Sequence, residues 1–254
     1  MLRLHRCIVE VGDAGDTQAD LACQLKHFDP DGLIVRQGNI STAVQSAAKN
    51  LKVICKHGVG TDNIDVDFAT NRGIPVPFTP QANSESVAEH TLGLMLSLLH
   101  KIPMQDKRIR DGLFDKKGHQ AVQLQGKTVG LIAFGRFVRR VAELLEPFHV
   151  KVIVFRPSPG ADALPQHVSR VQRSEELFQH SDIISLQCPL TRDTRNLINR
   201  ETLALMKSGV FLINTARGAI IQERDLLQAL RTGRVAEAAL DVFVVEPPSS
   251  DHPC

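Results

Sequence analysis

Short β-branched runs alternate with longer stretches whose apolar residues recur at helical spacing, and this alternation restricts the chain to a parallel sheet covered by helices. The predicted strands are Cys7 to Val11, Gly32 to Val35, Val53 to Cys55, Thr128 to Ile132, Lys151 to Phe155, Asp182 to Leu186, Val210 to Asn214 and Ala238 to Val242. Between them, Arg136 to Glu146, Arg200 to Lys207 and Glu223 to Thr232 read as helices, with Gly209 and Gly233 as stops. The fold class is α/β throughout.

A long helix is predicted from Asn83 to Leu99, capped by Asn83 or Ser84 and carrying Leu92, Met95, Leu96 and Leu99 on one apolar face. The polar stretch from Lys101 to Gln125 follows it, so two domains are expected, 1–97 and 98–254. At 254 residues the chain is long enough for both.

Composition removes several function classes. With 43% hydrophobic and 23% charged residues, the chain can bury a core and is not disordered. The net charge of +2 and the absence of Trp and Tyr argue against nucleic acid as a partner. The longest apolar run, Thr91 to Leu99, falls far short of the roughly 20 residues that cross a bilayer, and no signal-peptide core opens the sequence, so no membrane partner and a cytoplasmic location are expected. The cysteines Cys7, Cys23, Cys55, Cys188 and Cys254 form no C-x-x-C pair and are odd in number. Neither a metal site nor a disulfide framework is expected; buried thiols are.

The strand ending at Ile132 leads through Ala133-Phe134-Gly135-Arg136-Phe137-Val138 into a helix, where a glycine-rich turn presents a helix N-terminus to a pyrophosphate. The dinucleotide fingerprint G-x-G-x-x-G is here A-x-G-x-x-V, keeping the middle glycine alone. Ala133 replaces the first glycine if its φ is negative, and Val138 in place of the third is expected to push the helix off the strand. Taken alone, the motif reads as an ordinary strand-to-helix turn. After the next strand, Arg156 stands where an acidic residue would bind ribose hydroxyls. An arginine there, with Ser158 as a second donor, suits the 2′-phosphate of NADP; the bland alternative is a solvated loop arginine.

Further motifs run in order along nearly the whole chain: Gly58-Val59-Gly60-Thr61-Asp62-Asn63-Ile64-Asp65, Thr79-Pro80 to His90, Gly126 to Gly130, Cys188-Pro189-Leu190-Thr191, Leu212-Ile213-Asn214-Thr215-Ala216-Arg217-Gly218, and Ala239-Leu240-Asp241-Val242-Phe243 to Glu246-Pro247. In these the sequence resembles the D-isomer-specific 2-hydroxyacid dehydrogenases, in spelling nearest the branch of the D-3-phosphoglycerate dehydrogenases, with glyoxylate and hydroxypyruvate reductases nearby. The resemblance implies a Rossmann-like doubly wound parallel sheet that binds NAD or NADP, a flavodoxin-like α/β domain that binds the substrate, and hydride transfer between the nicotinamide and a D-2-hydroxy acid/2-oxo acid pair.

Site residues follow from the same resemblance. Arg217 corresponds to the arginine that holds the substrate carboxylate and polarises the 2-oxo group. Glu246 corresponds to the carboxylate that pairs with a catalytic histidine. Gly58, Val59 and Gly60 correspond to the loop that meets the substrate carboxylate, with Arg36 and Lys56 as basic neighbours for a second anionic group. Gly135, Arg136 and Phe137 would lie at the pyrophosphate, Val59, Cys188 and Pro189 along the cofactor, Thr215 and Ala216 beside the nicotinamide with Arg217, and Asp241 near its carboxamide. The long helix would contribute to a homodimer.

The resemblance also implies that both ends are short, because relatives begin earlier and place the acid histidine beyond the position of Cys254, so no proton donor is assigned in this chain and its inactivity as a shortened dehydrogenase is one expectation. His252 matches a loop ahead of it and reads as structural, and His57, His90, His119 and His180 have no motif support as replacements. The alternative function is a non-catalytic module that binds the nicotinamide cofactor as a sensor or docks a partner. Retention of both Arg217 and Glu246 counts against it, since a pure binder has no physical need of them.

Overall fold

The computed structural model describes residues 7–13, 15–80, 82–114, 120–133, 135–156 and 164–253. Two compact units divide between Asn83 and Ser84. The first contains α1 (Gln18–Phe28), β1 (Gly32–Val35), α2 (Thr42–Ala47), β2 (Val53–Lys56) and α3 (Val66–Asn71), with β1 and β2 paired in parallel. Thr17 caps α1 through a reciprocal box with Asp20, and Asp65 caps α3 through the N–H of Phe68. Val35, Val44, Ile54, Ile64 and Ala69 are among the residues of its core.

The second unit holds α4 (Ser84–Leu99), α5 (Ile102–Arg110), β3 (Thr128–Ile132), α6 (Arg136–Leu145), β4 (Lys151–Phe155), β5 (Val168–Val171), α7 (Ser174–His180), β6 (Ile183–Leu186), α8 (Arg200–Leu205), β7 (Val210–Asn214), α9 (Glu223–Arg231) and β8 (Val235–Leu240). Its six strands are parallel, in the order β5-β4-β3-β6-β7-β8. Both faces are covered. Val129, Leu131, Val152, Val154, Ile183 and Ile213 pack against α4 and α6, while Ile132, Ile153, Ile184, Leu186 and Leu212 face α7, α8 and α9. Amphipathic spacing accounts for α6, which buries Val138, Val141, Ala142 and Leu145. Helix α7 comes so close to β3 that a Cβ on Gly130 would sit 2.2 Å from Ser181 Oγ and 2.7 Å from Leu177 Cδ2.

Several sequence expectations are corrected. Cys7 to Val11 forms no strand, and Ile8 and Val11 are 85% and 83% exposed; an apolar run becomes a strand only where a neighbour pairs with it. The last strand lies at Val235–Leu240 rather than Ala238 to Val242, and the edge strand Val168–Val171 was not anticipated. The long helix packs with the second unit, burying Ala88, Thr91, Met95 and Leu99, so the division falls before it and not near residue 98. Among the described residues, no helix is long and apolar enough to cross a membrane.

Candidate active site

Parallel strands put all their C-terminal ends on one edge, and in this sheet order the connections reverse direction between β3 and β6, where open α/β sheets bind ligands. The expected residues of the second unit follow those ends directly. Gly135, Arg136 and Phe137 come just after β3, Arg156 after β4, Cys188 and Pro189 after β6, Thr215, Ala216 and Arg217 after β7, and Asp241 after β8. Topology alone therefore gathers residues spread over more than a hundred positions.

At β3 the local geometry departs from expectation. Ala133 has φ +82°, in the left-handed region that favours glycine, so it replaces the first glycine of the fingerprint with strain and not with the negative φ expected. Its N–H donates to Phe155 O at 2.9 Å, which holds the turn against β4. Val138 is accommodated in the core, 2% exposed, among Val129, Leu131, Val152 and Val154. Gly135 is the N-cap of α6; it supplies no side-chain cap, and open space surrounds the place of its absent Cβ. The first N–H groups of a ten-residue helix are thus left for an anion. Uncapped helix, open glycine and sheet reversal fit a dinucleotide pyrophosphate.

The turn after β7 is built by Asn214, a fully buried side chain. Its Nδ2 donates to Arg217 O at 3.0 Å and its Oδ1 accepts the Ala216 N–H at 3.0 Å. Arg217 Nη1 donates to Ala216 O at 2.7 Å, which keeps the half-buried guanidinium folded over the turn. Beside it, Gly218 touches the backbone of the next loop, where a Cβ would lie 2.0 Å from the carbonyl carbon of Phe243. That contact brings the Glu246 loop onto the Arg217 turn. Glu246 is exposed and its carboxylate accepts the Phe243 N–H at 3.0 Å. Glu223 accepts the Val244 N–H at 3.1 Å and lies 3.6 Å from His252 Nε2, and the His252 ring meets Phe243 edge to face at 5.1 Å. His252 thus packs against Glu223 and Phe243 at the base of this loop.

Cys188 is buried, and desolvation pushes its thiol up to about 11, which makes it an apolar wall and no nucleophile. Arg156 is half-buried, and the neighbouring Arg170 donates through Nη2 to the Arg156 carbonyl at 3.2 Å. Ser158, His119 and Phe134 lie outside the described residues.

In the first unit, Gly58 stands at φ +142° and its N–H donates to Thr79 Oγ1 at 3.1 Å. Val59 is 45% exposed beside a partly exposed Gly60, so this loop's surface is open. Arg36 is exposed, but Lys56 Nζ donates to Arg36 O at 2.9 Å and to Asn63 Oδ1 at 2.7 Å. Lys56 ties β2 to the loop after β1.

Sequence reasoning gave no role to four residues. Asn214 was visible within its motif. His90 likewise closes a motif, whereas Thr91 and Gln187 lie outside every one: His90 Nε2 lies 3.2 Å from Asp241 Oδ1, Thr91 Oγ1 lies 3.1 Å from Thr215 Oγ1, and Gln187 donates to Ser185 Oγ with its Oε1 buried and unpartnered.

Comparison with known proteins accords with this geometry. Residues 92–254 match the family described as D-isomer specific 2-hydroxyacid dehydrogenase, NAD binding domain. The chain belongs to that family. It is 43% identical over 222 residues to a hydroxypyruvate reductase of Thermotoga maritima, covering 87% of this chain and 72% of the relative. A D-3-phosphoglycerate dehydrogenase of Methanocaldococcus jannaschii is 41% identical, with 98% of this chain and 48% of the relative covered, so the chain spans about half of that protein. Among solved structures, the NAD-dependent formate dehydrogenase of Staphylococcus aureus in complex with NAD superimposes with a TM-score of 0.88 at 32% identity, covering 99% of this chain and 76% of that one. An NAD-binding domain in a dehydrogenase family bears out the fold, the family and NAD as cofactor, and does not favour the non-catalytic alternative.

Proposed function

We propose that the chain interconverts a D-2-hydroxy acid and its 2-oxo acid, of the 3-phosphoglycerate, glycerate or glyoxylate type. The observation that carries this is the Arg217 turn, held by the buried Asn214 at the C-terminal edge of the parallel sheet. Bound there, the nicotinamide dinucleotide supplies or accepts the hydride. Arg217, a permanently charged planar fork, holds the substrate carboxylate and draws charge from the 2-oxo oxygen. Glu246 serves as the carboxylate partner of a proton-donating histidine, orienting it and favouring its charged form. The first turn of α6, with Gly135, Arg136 and Phe137, holds the pyrophosphate, and Cys188, Pro189, Thr215, Ala216 and Asp241 line the rest. In the substrate unit, the loop Gly58 to Gly60 offers the backbone N–H groups of Val59 and Gly60 to the substrate, that of Gly58 being held by Thr79, and Arg36 supports an anionic tail.

The reading extends to NADP as the preferred cofactor, supported by Arg156 after β4 with Arg170 beside it. It also extends to a cytoplasmic homodimer. Ile102, Met104 and Ile109 on α5 are 53%, 39% and 55% exposed, and Phe114 beyond it 83%, an apolar surface of the kind that self-association covers.

The test is reduction of hydroxypyruvate, 3-phosphohydroxypyruvate and glyoxylate with NADH and NADPH. Saturable turnover that Arg217→Ala abolishes is the expected result; tight cofactor binding without turnover overturns the enzyme reading. Sedimentation as a folded monomer at micromolar concentration overturns the dimer.

A further inference from the structure

Two consecutive residues of α4 each hold a residue at the end of a different strand of the sheet. His90 Nε2 meets Asp241 Oδ1 at 3.2 Å, after β8, and Thr91 Oγ1 meets Thr215 Oγ1 at 3.1 Å, after β7. The direction of each hydrogen bond follows from the inventory of protons. Thr91 is fully buried, and its single hydroxyl proton goes to Val87 O at 2.7 Å. In the contact with Thr215, therefore, Thr215 donates and Thr91 accepts. The Thr215 hydroxyl has no second proton, so toward anything else it offers lone pairs only. A carboxylate likewise accepts only, so the proton between His90 and Asp241 sits on Nε2, and the second oxygen of Asp241 keeps its lone pairs.

We propose that His90 and Thr91 are positioning residues for the nicotinamide end of the cofactor site: Thr91 sets the polarity of Thr215, and His90 holds in place Asp241, which is an acceptor whatever its partner. Through them α4 orients the Asp241 carboxylate and leaves Thr215 as an acceptor toward the ligand. A ligand group placed there must bring N–H donors, as a carboxamide does. A carboxylate in the same place meets like charge on Asp241 and no donor on Thr215. The inference rests on the reading of this edge as a nicotinamide-dinucleotide site and adds to it where the discrimination between amide and acid originates: in a helix remote in sequence from the strands that carry the ligand-facing groups.

The experiment is calorimetric titration of the full chain with NAD, with its deamido analogue carrying nicotinic acid, and with ADP-ribose, which lacks the ring altogether. The wild-type chain is expected to bind NAD about tenfold or more tighter than the deamido form. His90→Leu, which lets the Asp241 carboxylate swing out of place, and Thr91→Val, which releases the Thr215 proton to serve as a donor, should each shrink that ratio about tenfold. His90→Gln, whose amide nitrogen replaces Nε2, and Thr91→Ser, which keeps the hydroxyl, should restore it. ADP-ribose affinity should be the same in all five proteins, which separates polarity from folding. A wild-type ratio near one overturns the inference with the cofactor reading intact, and so does an unchanged ratio in His90→Leu and Thr91→Val. Failure of the wild-type chain to bind NAD or ADP-ribose overturns the cofactor reading itself, and this inference with it.

Discussion

The side-chain amide of Asn214 reaches the carbonyl of Arg217 at 3.0 Å, closing from inside the sheet the turn that presents the guanidinium. Asn214→Ala leaves the Ala216 N–H and the Arg217 carbonyl without this partner in a half-buried turn, at a cost of about 2 kcal/mol. Displacement of Arg217 should lower kcat/KM roughly hundredfold. Asn214→Asp, which keeps the acceptor for Ala216 and loses the donor to Arg217, should fall between. Equal kinetics in wild type and Asn214→Ala would show that the turn holds its form unaided.

Ala133 bears a left-handed backbone, φ +82°, that a glycine adopts without cost. Ala133→Gly should therefore raise stability by about 1 kcal/mol, read as a higher urea midpoint at unchanged slope. A lower midpoint would mean that the methyl group contributes packing that outweighs its strain.

Burial pushes the Cys188 thiol up to about 11, whereas Cys7 and Cys23 are exposed. At about pH 8 the native chain should take iodoacetamide at Cys7 and Cys23 and leave Cys188 untouched until denaturant is added. Peptide mapping after a timed pulse checks this, and rapid native labelling of Cys188 contradicts it.

Asp182 precedes β6, where burial pushes its carboxyl up; the Lys207 ammonium at 2.8 Å and the Thr128 N–H, also at 2.8 Å, outweigh this and hold it below its ordinary 3.8. A depressed carboxyl adds stability that is full above the ordinary value and is lost as pH falls through the lower folded one. Asp182→Asn should cost under about 1 kcal/mol at neutral pH, given the exposure of the pair. The difference from wild type should narrow in acid, below about pH 4. A gap in urea midpoint that stays constant from neutral pH to acid would argue against an ionic contribution.

How much could be read beforehand depended on whether the cause was local. The bounds of β3, β4 and β7 agree with expectation, because central parallel strands are apolar on both faces and stand out from any surroundings. Val168–Val171 escaped because four residues at a sheet edge, one of them Arg170, carry no such run. Cys7 to Val11 misled because a strand needs a partner, which its own residues do not disclose. The motif residues were legible because each follows a strand end, and the sheet does the gathering. The contact of His90 is not legible in sequence, since its partner Asp241 stands 151 residues away and only packing joins them. The conformation of Ala133 was equally hidden, since the sequence shows which residue stands there but not the φ demanded of it.

The division of the chain before Ser84 bears on how such proteins exchange parts during descent. A cofactor-binding half inherited from a relative brings its nicotinamide neighbours intact only if the transferred coding segment includes α4, whose Thr91 and Met95 are buried in that half. A crossover after Leu99 would pair one ancestor's helix with another ancestor's strand ends, and Thr91 with Thr215, like His90 with Asp241, would have to coevolve anew. Selection should therefore favour recombinants joined at the short segment ahead of Ser84.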